Sequence, residues 1–335
     1  MNLAISPRPR VLSGMRPTGA LHLGHYHGAI KNWVSLQTTH DCFFFVADWH
    51  ALTTHYQHRE GLEQNVYDMV VDWLAAGIDP EQATLFIQSR MPEHAELFTL
   101  LAMSTPSSWL ERIPSYRAQI EADKELATFG FLGYPLLQAA DILIYKAAFV
   151  PVGEDQTAHV EVTREVARRF NRIYSPERTI LPEPQELLTE TSRLPGLDGR
   201  KMSKSYGNAI AMRDAPEVVE EKIRTMPTDP QRVRRTDAGD PVRCPVWPLH
   251  RVYTDEATRY ELELGCRSAG IGCLDCKQPL IEAIQREQQP WRERADEYLA
   301  NPKQVHWIVE VGAERARAVA RKTLREVRAA MGLNY

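Results

Sequence analysis

Apolar positions in the first half of the chain follow two periods in alternation. Cys42–Ala47 (CFFFVA) is a continuous apolar run, the pattern of a strand buried on both faces. Arg10–Gly14, Ala83–Gln88 and Phe149–Val152 read as further strands. Between them Val66, Met69, Val70, Trp73 and Leu74 recur at helical spacing and form one stripe. His25–Gln37, Tyr134–Lys146 and Thr157–Asn171 read as helices in the same way. Strands alternating with helices predict an α/β fold built on a doubly wound parallel sheet, with ligands beyond the carboxyl ends of the strands.

The pattern changes after Tyr174. Pro176, Pro182, Pro184 and Pro195 among polar residues predict a loop-rich connection into Gly199-Arg200-Lys201-Met202-Ser203-Lys204-Ser205. Beyond Asp214 the chain turns helical, with a basic, Pro-containing interruption from Lys222 to Arg243. Val311–Met331 is a strong helix former with Ala and Val on one face. The expected organisation is a catalytic α/β domain over 1–195, a loop over 196–208, a helical domain over 209–310 and a C-terminal helix over 311–335. No internal repeat or low-complexity tract interrupts it.

Composition narrows the class. A chain of 335 residues with 43% apolar and 25% charged residues is an ordinary globular protein of about two domains. No run reaches the ~18 apolar residues of a membrane span, and Met1–Arg10 lacks the apolar centre of a signal peptide, so a cytoplasmic protein is expected. A net charge of −4 argues against nonspecific coating of nucleic acid, though not against a local basic surface. Cys42 stands alone, whereas Cys244, Cys266, Cys273 and Cys276 follow the spacing C-x21-C-x6-C-x2-C. In a cytoplasmic chain such a group reads as metal ligands ahead of disulfides. Four thiolates suit tetrahedral zinc and a [4Fe–4S] cluster equally.

Two motifs carry phosphate chemistry. Pro17-Thr18-Gly19-Ala20-Leu21-His22-Leu23-Gly24-His25 lies between the first strand and first helix. Glycines there let the backbone approach a phosphate, and a helix N-terminus offers unpaired amides. His22 and His25 can both face one ligand. Lys201 and Lys204, on a Gly-rich loop, can close over a polyphosphate and stabilise charge building on a leaving group. Two isolated histidines or a lone basic loop would more often be merely solvated.

Together, in this order, the motifs resemble the HIGH and KMSKS signatures of class I aminoacyl-tRNA synthetases, the second letter for letter and the first with Leu23 in place of isoleucine. The resemblance spans essentially the whole chain. It implies a Rossmann-like catalytic domain with a C-terminal helical domain, a homodimer, ATP with Mg2+, and transfer of an activated amino acid to tRNA. His22, His25, Lys201 and Lys204 would be catalytic. Arg16, Thr18, Gly24, His25, Gly153, Asp155, Lys201, Met202, Ser203 and Lys204 would bind ATP.

Chain length leaves the tyrosine- and tryptophan-specific members. Phe149–Gln156 and Tyr134–Leu143 resemble segments of the tryptophan enzymes. Tyrosine enzymes carry a tyrosine where this chain has Leu12, an apolar wall suited to an indole face. The tryptophan-binding set would be Leu12, His50, Tyr134, Gln138, Asp141, Val152 and Gln156. Asp141, a carboxylate in an otherwise apolar helix, is the expected acceptor for the indole N–H. Gln138 stands where several members have methionine. The cysteine spacing is one residue shorter, in its first interval, than a pattern that holds a [4Fe–4S] cluster in a minority of bacterial members. The resemblance therefore implies a cluster, with zinc as the alternative. The anticodon is expected on the C-terminal domain, near Arg232, Arg234 and Arg235. The rival readings are a tyrosyl-tRNA synthetase, a nucleotidyltransferase of the same fold, and a catalytically silent RNA-binding relative.

Overall fold

The computed structural model describes residues 8–57, 60–153, 157–188 and 194–335. Five strands form one sheet: β1 (Arg10–Met15), β2 (Asp41–Val46), β3 (Ala83–Ile87), β4 (Phe149–Val152) and β5 (Gln185–Leu188). The order is β3-β2-β1-β4-β5 and every pairing is parallel. The order reverses at β1, so its carboxyl end, with that of β4, opens a crevice for a ligand.

The run CFFFVA explains the two cores. Successive side chains of a strand point to opposite faces. Cys42, Phe44 and Val46 enter a core with Val11, Trp33 and Trp73. Phe43 and Phe45 enter the other, with Leu12, Phe86 and Leu136. Each fully buried side chain of this size contributes about 1.5–3 kcal/mol.

Helices cover both faces: α1 (Leu62–Ala76), α2 (Tyr134–Ile144), α3 (Thr157–Tyr174), α4 (Cys273–Ala300) and α5 (Pro302–Ala330). The helix expected from His25 starts instead as a turn at Leu23–His25, widens into a π-turn over Tyr26–Ile30, and becomes regular at Lys31–Leu36. Such widened turns recur where a helix borders a ligand site. β5 lies in the segment read as loop. At four residues, after Pro184, it is too short to show a period.

The C-terminal helix begins at Pro302, ahead of the expected Val311. It packs across β3 so closely that a Cβ on Gly312 would sit 1.8 Å from the Leu85 carbonyl oxygen. Among the described residues, no helix is long and apolar enough to cross a membrane.

Candidate active site

A cavity of about 420 Å3 opens at the carboxyl ends of β1 and β4. The expected residues Leu12, His50, Tyr134, Gln138, Asp141 and Val152 all line it, and so do Arg16, His25 and Gly153. Asp155 and Gln156 lie outside the described residues. Gly28, Ala29, Trp33 and Phe45 complete the wall and were not anticipated. Gly28 has open space where a Cβ would be, whereas Gly14 lies so close to the Phe45 ring that a Cβ would meet it at 2.5 Å.

Polar contacts fix the wall. Gln138 Oε1 is 2.8 Å from His159 Nδ1, and Ser115 Oγ is 3.1 Å from the other ring nitrogen, so α3 orients a residue of α2. Asp141 is fully buried. Its Oδ2 is 2.7 Å from His50 Nε2, its Oδ1 is 2.6 Å from His94 Nδ1, and Gln88 Nε2 donates to both oxygens at 2.9 Å. Tyr145 OH lies 2.6 Å from His94 Nε2. Burial pushes the Asp141 carboxyl up, but the hydrogen bonds from His50 and His94 outweigh it and leave the group below its ordinary value. The expected carboxylate is therefore in the wall, and it accepts from three protein donors, Gln88 Nε2 being shared between its two oxygens.

Beside the cavity lies a cradle made by the two motifs. Met212 N–H donates to Leu21 O and Leu23 N–H to Ile210 O, so the chain after Lys201–Ser205 runs against the first motif. Met202 is buried in the same core as Leu23 and Ile210, which anchors the lysine loop. Gly24 carries no side chain there; a Cβ would come within 3.4 Å of Met202 Cβ and 3.0 Å of the His22 ring. Thr18 is exposed on the turn preceding the histidines.

His22 and His25 stack with ring centroids 3.7 Å apart. Desolvation first, then the neighbouring charges, lowers His22 to about 4 and His25 to about 3. Both rings are thus neutral near pH 7 and can offer N–H without bringing a charge. Lys204 Nζ is buried and has no hydrogen-bond partner among the described residues, and desolvation lowers it to about 8. Lys201 is exposed. A desolvated ammonium and two neutral donors beside a glycine turn form a place for the charge of a polyphosphate.

Asn208 was not singled out by sequence, and it organises the lysine loop. Its Oδ1 accepts from Ser203 N–H at 2.8 Å, and its Nδ2 donates to Asp198 Oδ1 at 2.7 Å and Lys201 O at 3.1 Å. Hydrogen bonding to Asn208, reinforced by Arg200, lowers the Asp198 carboxyl to about 2. Asparagine is common in loops, so nothing in the sequence marks this one.

Outside the cavity, Cys244, Cys266, Cys273 and Cys276 line one small space together with Asp229, Arg232 and Lys277. None of the cysteines is in a disulfide. Among the described residues no three His, Cys, Asp or Glu groups stand close enough to hold a metal ion as placed. A Cβ on Gly239 would lie 2.7 Å from Cys266 Sγ, so the cysteine packs closely on that glycine. Desolvation, then the charges of Cys244, Cys266 and Cys273, pushes the Cys276 thiol up to about 12, so without a cation it stays protonated. Arg232, expected at an RNA-facing surface, turns inward and donates through Nη2 to Arg235 O and Ile271 O at 2.9 and 2.7 Å. Arg235 remains exposed, and so does Arg234.

A parallel sheet with a glycine-histidine turn and a closing lysine loop at its carboxyl edge defines a class I aminoacyl-tRNA synthetase catalytic unit. The sequence pattern of the tRNA synthetases class I (W and Y) matches residues 6–287, and the chain belongs to this family. Among curated proteins it is 56% identical to the tryptophan–tRNA ligase of Ralstonia nicotianae, covering 97% of this chain and 99% of that one. It is 50% identical to that of Thermotoga maritima, covering 97% of this chain and 100% of that one. Among solved structures it is similar to the tryptophanyl-tRNA synthetase of Campylobacter jejuni complexed with ADP and tryptophan. That match has a TM-score of 0.87 at 34% identity, covering 97% of this chain and 100% of that one.

Proposed function

We propose that this chain is a tryptophan–tRNA ligase, which activates L-tryptophan with ATP and transfers it to tRNA(Trp). The observation that carries the reading is one apolar cavity holding Leu12, His50, Tyr134, Gln138, Asp141 and Val152 directly beside the histidine–lysine cradle. Tryptophan occupies the cavity, and the triphosphate of ATP occupies the cradle. Arg16 and Gly153, which also line the cavity, would contact ATP. One carboxylate oxygen of tryptophan attacks the α-phosphorus in line, an O–P bond forms, and the bond to pyrophosphate breaks. A hydroxyl of the terminal tRNA adenosine then attacks the carbonyl carbon and AMP leaves.

Side chains here position and stabilise charge and do little proton transfer. His22 and His25 donate to phosphate oxygens as neutral rings, and Lys201 and Lys204 receive the charge that accumulates on pyrophosphate. Mg2+ arrives held mainly by the phosphates and supplies further charge neutralisation when bound. ATP–pyrophosphate exchange with a panel of amino acids tests the reading. Exchange with tryptophan alone is expected, whereas exchange with tyrosine, or with none, would replace it by a rival.

Cys244, Cys266, Cys273 and Cys276 would hold a [4Fe–4S] cluster, with zinc as the alternative. Four thiols around one cavity support a four-thiolate site, and the resemblance to the cluster-holding bacterial members, one residue longer in the first interval, favours the cluster over zinc. The centre would bind together chain with few apolar residues and shape a surface for tRNA. Arg234 and Arg235, exposed beside it, would contact RNA phosphates, so neutralising both weakens tRNA binding and flattens its salt dependence. The family resemblance further supports a cytoplasmic homodimer.

A further inference from the structure

Lys204 carries its ammonium where water does little to support it. Its Nζ is buried and has no hydrogen-bond partner among the described residues, and a Cβ on Gly19 would lie 3.0 Å from it. Desolvation favours the neutral amine and lowers its pKa to about 8. A lysine that serves a polyphosphate must already be charged when the phosphates arrive. Its neighbours Lys201, His22 and His25 offer no counter-charge, since one is a cation and the stacked rings are neutral near pH 7.

Among the described residues, the anion that opposes this loss of charge is Asp72. It belongs to α1 and is 2% exposed. Its Oδ2 takes the backbone N–H of Leu21 at 3.4 Å, two residues from Gly19. Its Oδ1 lies 2.6 Å from Arg213 Nε, and Arg213 Nη2 donates to Asp68 Oδ1 at 3.2 Å. Arg213 follows Met212, whose N–H donates to Leu21 O. The carboxylate thus lies where α1, the first motif and the chain leaving the lysine loop converge. The pair of Arg213 with the half-buried Asp68 would be enough to staple α1 to that chain. A second carboxylate taken out of water is costly and calls for another purpose. Burial pushes Asp72 up to about 6, so it is ionised where Lys204 titrates.

We propose that Asp72 is a positioning residue for amino-acid activation: its buried charge keeps Lys204 an ammonium ion beside the first motif, and Arg213 moderates that pull. The proposal rests on the reading that Lys204 serves ATP. A carboxylate in direct contact with Lys204 would compete with the phosphates for it. One already engaged by Arg213 and Leu21 supports the charge at a distance, and Lys204 Nζ makes no hydrogen bond to it. Two consequences of opposite sign follow from two cations sharing one anion. Neutralising Asp72 makes Lys204 lose its proton more easily, and removing Arg213 makes it hold the proton more tightly.

The test reads the charge on Lys204 directly, by NMR titration of the full-length enzyme labelled with 13Cε-lysine, the resonance being identified by its loss in Lys204→Arg. The midpoint should lie near about 8 in wild type. It should fall by about one pH unit in Asp72→Asn, where the amide oxygen can still accept from Leu21 N–H, and rise in Arg213→Ala. A midpoint unmoved in Asp72→Asn, or moved the same way by both variants, overturns the proposal. Should Asp72→Asn fail to fold, an unmoved or lowered midpoint in Arg213→Ala overturns it alone. The alkaline limb of kcat/KM for ATP, in pyrophosphate exchange with tryptophan, should follow the same midpoints. Asp72→Asn should thus lose roughly tenfold at about pH 9 and far less at about pH 6, whereas general damage to the fold would lower both alike. Midpoints that move while the limb stays fixed overturn the role in activation. A wild type without exchange on tryptophan overturns the functional reading itself, a failure distinct from any result of the titration.

Discussion

The ammonium of Lys204 sits against Gly19: a Cβ added to that glycine would lie 3.0 Å from Nζ, and Gly19 itself has a φ of +114°. The second motif thus touches the first directly. Desolvation in this contact lowers Lys204 to about 8. Below that pH the lysine is charged and attracts phosphate, and above it the charge is lost. kcat/KM for ATP should therefore fall as pH rises past about 8, since that ratio reports groups of the free enzyme. Lys204→Arg, which stays charged, should abolish the alkaline limb; a limb that survives in this variant assigns it to another group.

The two lysines should matter more to the chemical step than to tryptophan binding. In the proposed mechanism they reach the pyrophosphate side of ATP, where charge grows in the transition state. Lys201→Ala and Lys204→Ala should each lower kcat by about 100-fold or more and leave KM for tryptophan nearly unchanged. A normal kcat with a raised KM for tryptophan would remove them from the mechanism.

Arg213 Nε lies 2.6 Å from Asp72 Oδ1, and Asp72 is 2% exposed. Asp72 Oδ2 also takes the backbone N–H of Leu21 at 3.4 Å, so this ion pair links α1, the first motif and the chain beyond the lysine loop. Desolvation, only partly offset by Arg213, pushes Asp72 up to about 6. Arg213→Ala leaves a buried carboxylate unpaired and should cost on the order of 3 kcal/mol near neutral pH. A raised carboxyl pKa means the folded state binds more protons than the unfolded, so stability is lost as pH rises from the unfolded value toward the folded one. The variant's deficit should thus be smaller near pH 5 than near pH 7 in urea titrations, and Asp72→Asn in the same background should recover most of it. An equal deficit at both pH values would assign the loss to packing.

What was legible in the sequence follows from the strength of each signal. Cys42–Ala47 shows the continuous apolar run of a doubly buried strand, and the two motifs stood out by matching their signatures almost letter for letter. β5 escaped because four residues after a proline show no period, and Asn208 because loop asparagines are ordinary. Asp141 was found for its oddity in an apolar helix. Its partners His50, Gln88 and His94 lie on three separate segments, and no sequence period brings them together. Arg232 was expected at an RNA-facing surface with Arg234 and Arg235, but its guanidinium donates to two main-chain carbonyls.

Gly312 is the point where α5 meets the sheet. Any side chain there must displace the Leu85 carbonyl, a backbone group held in β3. Gly312→Ala should improve helix propensity by roughly 1 kcal/mol yet lower stability by about 3 kcal/mol or more, because the clash outweighs the gain. Thermal unfolding reads the sign, and a stabilised variant would mean α5 can shift off β3 at little cost.

The four-cysteine site gives the last prediction, and its outcomes separate three chemistries. Protein purified without oxygen should be brown and carry about four irons and four labile sulfides per chain. Colourless protein with one tightly held zinc would keep the four-thiolate site and replace the cluster. Cysteines reacting fully with a thiol reagent in native, metal-free protein would remove the site. Structural and catalytic roles are also distinguishable. Lys277 Nζ donates to Arg224 O and Met226 O, and Arg232 to Arg235 O and Ile271 O, so the walls of this space are held by hydrogen bonds of their own. Cys266→Ser should then leave tryptophan-dependent pyrophosphate exchange within about threefold of wild type, since none of the four cysteines lines the cavity. The same variant should weaken tRNA binding, because the surface carrying Arg234 and Arg235 loses its clamp. Loss of exchange together with tRNA binding would instead place the cysteines in the global stability of the chain.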